Sequence, residues 1–247
     1  MLELDLWLEI AKSAALEGGN YLLQNQGKEL KVLMNSGRDI KLQLDTDTEK
    51  LIKESLSSQS SFSILGEETG LSNNLGEFYW VVDPLDGTSN FLRDIPISCV
   101  SIALMQDVTP ILGVIYDFNH DDLYFGHQNS KAFLNQNEIT VSDYSKKNQS
   151  TLVTGIPAKT HYSDEEFKNM INDFQDWKKV RMIGSAAMAA IYVAAGKAET
   201  YKENGIFLWD IAAGAAIVEA AGGVASIKNI QADYRVDAIF TNQHLAN

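Results

Sequence analysis

The chain has 247 residues, 45% of them hydrophobic and 21% charged, with a formal net charge of −13. That composition supports a substantial core and argues against nucleic-acid or anionic-membrane partners, which need a basic face. The single cysteine, Cys99, has no partner for an internal disulfide, and no basic leader or long apolar run points to export or a membrane span, so a cytoplasmic protein is expected.

In chain order, residues 3–24 carry Leu4, Trp7, Leu8, Ala11, Ala14, Ala15 and Leu22 at helical spacing, with Gly18-Gly19 permitting close packing or a bend. A polar connector, Asn35 to Asp39, leads to a second helix from Asp45 to Leu56, with Thr46 and Glu49 in capping-box register. The acids of this stretch do not make a calcium loop, because Lys50 stands where the EF-hand pattern needs glycine. Phe62–Leu65 reads as a short strand that ends at Gly66-Glu67-Glu68. A strand through Val81-Val82 is expected beside it, the two ending at one edge. Strands over 97–105, 110–117 and 122–126 and a hairpin over 131–139 follow, separated by Asp, Asn and Pro turns. Cys99 lies in an apolar run and reads as a buried structural thiol.

The second half alternates strands and helices. Strands are expected at 151–154, 180–183, 198–201, 224–227 and 236–241. Helices are expected at 163–177, opened by Ser163 with Glu166, from Gly184 to about 195, and at 208–221. The pattern predicts an α/β protein of layered helices and two mixed sheets, an α-β-α-β-α sandwich. One domain over 1–247 is expected, with two intimate halves, roughly 1–145 and 146–247.

The densest chemistry lies in Trp80-Val-Val-Asp83-Pro84-Leu85-Asp86-Gly87-Thr88-Ser89-Asn90-Phe91. Pro84 disfavours helical geometry in Asp83, so the strand is expected to stop there and leave both carboxylates on a turn. Asp83, Asp86 and the Leu85 carbonyl then offer three hard oxygens to one small volume, the donor type Mg²⁺ takes. Gly87 lets its backbone N–H approach an anion, Thr88 adds a hydroxyl, and Ser89-Asn90 read as the start of a helix whose free N–H groups favour phosphate. Any one of these residues could serve only a turn or a cap. The whole string is far more specific.

Asp-Pro-Leu-Asp-Gly-Thr after an apolar strand resembles the inositol monophosphatase family of Mg²⁺-dependent, lithium-sensitive phosphatases, in its monophosphatase branch. The likeness extends to Gly66-Glu67-Glu68 ahead of the string, Gly184-Ser185-Ala186 after it, and Trp209-Asp210 opening a late helix of small residues. It runs from about residue 39 to the C-terminus. It implies a phosphoric monoester hydrolase using two or three Mg²⁺ ions. Glu67, Asp83 and the Leu85 carbonyl would hold one ion; Asp83, Asp86 and Asp210 would hold a second; Glu68 would reach a third through water. Thr88 and Glu67 would activate the attacking water, and the Gly87 and Thr88 N–H groups would bind phosphate. Glu203 and the backbone around Gly184, Ser185 and Ala186 would meet the substrate's hydroxyls, and a homodimer is implied.

One departure stands out. Relatives commonly carry Asp-Leu-Val-Thr-x-x-Asp in the N-terminal loop, where this chain has Asp39-Ile-Lys41-Leu-Gln43-Leu-Asp45. Lys41 is given no catalytic role, and Asp45 is taken as a catalytic-site carboxylate behind the metal ligands. The substrate expected is a small polyol phosphate such as inositol 1-phosphate, with histidinol phosphate, sugar bisphosphates, 3′-phosphoadenosine nucleotides or a non-catalytic metal-binding scaffold as alternatives. No phosphate-binding P-loop, no Gly-x-Ser-x-Gly elbow and no histidine pair at metal spacing competes with this reading.

Overall fold

The apolar run that precedes Asp83 is buried on both of its sides, and this sets the layering. The structure, a computed structural model, describes residues 3–29, 31–36, 39–157 and 161–246. The first half contains α1 (Leu4–Asn25), β1 (Val32–Ser36), β2 (Asp39–Leu42), α2 (Gln43–Ser57), β3 (Ser63–Gly66), β4 (Gly70–Leu71), β5 (Phe78–Asp86) and the short α3 (Thr88–Phe91). It continues with β6 (Cys99–Gln106), β7 (Thr109–Asp117), β8 (Asp122–His127), β9 (Ala132–Leu134) and β10 (Asn137–Ile139). The second half contains β11 (Thr151–Thr154), α4 (Asp164–Asp176), β12 (Lys179–Met182), α5 (Ala186–Ala194), β13 (Thr200–Phe207), α6 (Leu208–Ala220), β14 (Val224–Lys228) and β15 (Arg235–Thr241).

Among the described residues these strands form the β1–β2 hairpin and two larger mixed sheets. One has eight strands in the order β10-β9-β8-β7-β6-β5-β3-β4, the other five in the order β12-β11-β13-β15-β14. As expected, β3 and β5 are parallel neighbours, with Gly66 opposite Val82. Successive residues of a strand point to opposite faces. Trp80 and Val82 therefore pack among Leu8, Leu22, Ile52 and Leu56 of α1 and α2. Tyr79 and Val81 pack on the other face, among Ala189, Ile191, Ile211 and Ala212 of α5 and α6. The far side of α5 and α6 is covered by Val153, Tyr201, Val236, Ala238 and Phe240 of the five-stranded sheet. α4 lies over that sheet's outer face, where Asp173 pairs with Lys147 and Lys202. The order is the helix–sheet–helix–sheet–helix sandwich expected from the pattern.

Small residues let the middle layer approach closely. A Cβ added at Gly113 on β7 would lie 2.1 Å from the Ala213 carbonyl oxygen of α6. Gly18 and Gly19 do the same for α1, against Ile52 and Tyr116, so the glycine pair serves packing within a continuous helix. Cys99 is fully buried and unpaired.

Three expectations need correction. The connector at 35–39 is part of the β1–β2 hairpin, with Gly37 and Arg38 outside the described residues. Val32 and Leu33 are exposed there, so backbone pairing holds the hairpin without the apolar alternation that marks a strand. α2 begins two residues earlier than expected, and Asp45, not Thr46, caps it: its Oδ2 accepts the Leu42 N–H at 2.8 Å. Lastly, β5 does not stop at Pro84. It pairs with β6 through Asp83–Ser101 and again at Asp86–Cys99, with a bulge between. The bulge accommodates Pro84, which has no N–H to give to a ladder.

Gly113→Ala should be strongly destabilising, because the intruding methyl meets backbone and not a movable side chain. A loss of about 2–3 kcal/mol in urea unfolding is expected. A variant within about 0.5 kcal/mol of the parent would show that α6 can shift off the sheet.

Candidate active site

The alternation that buries Val81 toward α5 and α6 also sends Asp83 to that face, and the bulge then redirects Asp86. Asp83 Oδ1 accepts the Leu85 N–H at 3.0 Å, which fixes the turn of the bulge. Gly87 follows with φ +90°, and an added Cβ would sit 2.7 Å from the Ile97 carbonyl oxygen, so only glycine carries the chain into α3 there. The Thr88 hydroxyl donates to the Leu85 carbonyl at 3.1 Å. A carbonyl has a second lone pair, so Leu85 can still face a cation.

Asp86 reaches across to the second half. Its Oδ2 accepts from Ser185 Oγ at 2.5 Å and from the Ala187 N–H at 2.7 Å, at the start of α5. Ser185 Oγ in turn accepts the Met188 N–H at 3.1 Å. Asn90 adds a second tie, donating to the carbonyls of Ile97 and Ile183, both at 2.8 Å. At the N-terminus of α6, Asp210 Oδ2 accepts the Phe207 N–H at 3.3 Å, so the residue is a cap as well as a candidate ligand. Asp83, Asp86 and Asp210 each bring one oxygen within 4.8 Å of the others. Glu67 arrives from the end of β3, its N–H on the Val82 carbonyl at 3.1 Å and its side chain hydrogen-bonded to Asp83.

Behind Glu67 stands a layer that spacing alone did not reveal. Glu49, expected as a cap of α2, is fully buried and grips the loop after β3. It accepts the N–H groups of Glu68 and Thr69 at 2.7 and 3.0 Å and is paired with Lys53 at 3.2 Å. Lys41 donates to both oxygens of Glu68, at 3.1 and 3.2 Å. Asp45 is buried with one oxygen on Leu42 N–H, while its Oδ1 has no hydrogen-bond partner among the described residues. Asp45 and Glu68 are expected near the site from the family likeness, whereas in the sequence Glu49 reads only as a cap and Lys41 is given no role.

These groups border a cleft of about 290 Å³, lined by Glu67, Asp86, Gly87, Thr88, Gly155, Gly184, Ser185, Ala186, Glu203 and Asp210 among others. Glu203, expected to meet the substrate, lies in the interior of β13 and is buried at the cleft. Burial pushes Glu67 up to about 8, with the charge of Glu68 adding to the rise. Burial, then the charge of Glu67, hold Asp83 and Asp210 well above the usual carboxylate range. Asp86 rises to about 6 through burial, restrained by its hydrogen bonds from Ser185 and Ala187. Burial and the charge of Asp86 raise Glu203 to about 8, and burial raises Asp45 to about 7. A desolvated cluster of acids binds protons or cations in preference to standing fully ionised. An all-oxygen donor set of Glu67, Asp83, Asp86, Asp210 and the Leu85 carbonyl fits a hard divalent cation such as Mg²⁺.

Comparison with known proteins bears on what this cleft belongs to. The chain is 38% identical over 220 residues to the Nus factor SuhB of Xylella fastidiosa, covering 87% of this chain and 80% of that protein. It is 35% identical over 235 residues to an inositol-1-monophosphatase of Synechocystis sp., covering 91% and 79%. The solved inositol monophosphatase of Anabaena superposes with a TM-score of 0.83 at 33% identity, covering 98% of this chain and 92% of that one. A family model described as the inositol monophosphatase family matches residues 3–239. On these matches the chain belongs to the inositol monophosphatase family and is a phosphatase of that family.

Proposed function

We propose that the chain hydrolyses a small polyol phosphate monoester, with inositol 1-phosphate as the leading substrate and Mg²⁺ as the cofactor. The observation that carries this reading is the convergence of Glu67, Asp83, Asp86 and Asp210 on one cleft, beside the Gly87–Thr88 backbone. Bound there, Mg²⁺ would neutralise phosphoryl oxygens and lower the pKa of a water, the chief needs of phosphoester hydrolysis. Glu67, Asp83, Asp86, Asp210 and the Leu85 carbonyl are the residues that would hold it. Glu67 and Thr88 orient the attacking water, with Asp45 behind them. The N–H groups of Gly87 and Thr88 receive the phosphate, and Gly184, Ser185 and Ala186 form the facing wall. Glu203 accepts hydrogen bonds from the leaving alcohol. The homodimer implied by the family likeness belongs to the same reading.

A second reading draws on the Xylella relative, whose name is that of a Nus factor and not of a phosphatase. A binding role of that kind would leave the acids of the cleft without a task. The net charge of −13 also disfavours a nucleic-acid partner. Among the described residues, no helix is long and apolar enough to cross a membrane.

Metal dependence should be visible in stability. Asp45, Glu67, Asp86 and Glu203 all titrate higher in the fold than ordinary carboxyl groups, at about 7, 8, 6 and 8. The folded chain thus holds their protons more tightly than the unfolded chain does. Stability is then highest below the unfolded values and is lost as pH rises through the folded ones, over about pH 5 to 8. In EDTA the melting temperature should fall across that range. Added Mg²⁺ should raise it more at pH 8 than at pH 5; a gain independent of pH contradicts the cluster's electrostatics.

Activity is tested by a screen of inositol, sugar, histidinol and nucleotide phosphates with Mg²⁺. Inositol 1-phosphate should lead, and LiCl should inhibit where matched KCl does not. Asp86→Asn should cost about two or more orders of magnitude in kcat. Near-parental turnover of that variant at saturating Mg²⁺ would remove Asp86 from the metal set.

Specificity is tested at Glu203, since metals and backbone N–H groups cannot tell one ester from another. Above the pH of about 8 at which Glu203 titrates, where the assay is run, a hydrogen bond to its carboxylate is worth about 1.5–3 kcal/mol. Glu203→Gln should therefore lower kcat/KM for the polyol phosphate about tenfold to a hundredfold, and far less for an aryl phosphate without hydroxyls. Equal losses on the two esters would move the specificity pocket elsewhere.

A further inference from the structure

Two groups of acids lie near Glu67, and they are neutralised differently. Asp83, Asp86 and Asp210 have oxygens within 4.8 Å of one another. On the other side of Glu67 stand Glu68 and Asp45, and here the chain brings its own cation. Lys41 Nζ lies 3.1 and 3.2 Å from the two oxygens of Glu68, whose side chain is only 6% exposed. The ammonium is close enough for its charge to act on Asp45 and Glu67 as well.

Both partners are held by backbone. Lys41 lies on β2, opposite Met34 in the hairpin, one residue before Leu42, whose N–H is fixed on the Asp45 carboxylate. Glu68 is fixed by the bond from its N–H to Glu49. This is not a loose surface pair of the kind that contributes little. An ammonium and a Mg²⁺ ion compete for the same acidic surroundings, and each repels the other at close range. Displacing the ammonium would leave Glu68 to the metal and a lysine charge beside it.

We propose that Lys41 is an internal cation standing beside Glu67, Glu68 and Asp45 in place of a further divalent ion, so that the chain holds two metal ions and not three. The inference rests on the phosphatase reading and assigns the metal count of that same site. It also gives a use to Lys41, which with Ile40 and Leu42 departs from the family pattern.

The test counts bound ions by electron paramagnetic resonance titration with Mn²⁺ alone, on the full chain, so it does not depend on activity. The parent and Lys41→Arg, which keeps the charge, should bind about two ions per chain. Lys41→Met, which keeps the apolar stem without the charge, should gain about one more, and Lys41→Met with Glu68→Gln should lose that gain. Lys41→Gln serves as the second neutral variant should the methionine form fail to melt cooperatively. A parent that binds about three ions overturns the inference, as does an unchanged count in both neutral variants. A parent that binds fewer than about two overturns the metal assignment of the phosphatase reading itself.

Discussion

Asp86 accepts two hydrogen bonds from the first turn of α5, through Ser185 Oγ and the Ala187 N–H, and the cleft depends on that contact. It joins the end of a strand in the eight-stranded sheet to a helix packed against the five-stranded one. Asn90 repeats the connection by donating to Ile183. Without these ties, the Gly87–Thr88 backbone and the Gly184–Ala186 wall would be surfaces of separate layers. With them, Asp83, Asp86 and Asp210 share one volume. The same oxygen that anchors α5 belongs to a candidate metal ligand, so the geometry of the site and the docking of α5 on the strand end are linked.

The electrostatic arrangement works against the fold when no cation is bound. Several carboxyl groups are removed from water, near one another, with their affinity for protons raised. Such a cluster is costly unless charge is supplied. On the function proposed above the imbalance is what cation binding would use, and proteins commonly keep destabilising features where function requires them. The surrounding layer offsets part of the strain. Glu49, buried and paired with Lys53, holds the loop of Glu67 and Glu68 in place through two backbone N–H groups. The supporting acid has a lysine beside it, while Asp83, Asp86 and Asp210 accept hydrogen bonds but have no ion pair among the described residues.

Much of the architecture was legible because the responsible forces act over a few residues. Helical spacing marked α1, the Ser163–Glu166 capping box marked α4, and the β-rich runs marked β6, β7 and β8. The β1–β2 hairpin was not legible, because its strands expose Val32 and Leu33 and carry no alternation. The capping pattern at Thr46 and Glu49 misled for a related reason. Local spacing cannot register that Glu49 is needed by a loop some twenty positions later. The strand expected at 198–201 runs on through Glu203 to Phe207, with a bulge against β15, because its pairing with β15 is a contact between distant parts of the chain.

By itself the sequence determined the alternation of apolar runs and turns and the order of the acids. Those follow from covalent geometry and from the period of helices and strands, which neighbours in the chain decide. Only the tertiary structure decided which acids meet. Asp86 and Ser185 are 99 positions apart, and Lys41 and Glu68 are 27 apart. Their contact depends on the stacking of two sheets and on a bulge that turns Asp86 away from the ladder. Burial, and with it the raised proton affinity of the acids, is likewise a property of the packed layers, because desolvation is imposed by atoms from elsewhere in the chain.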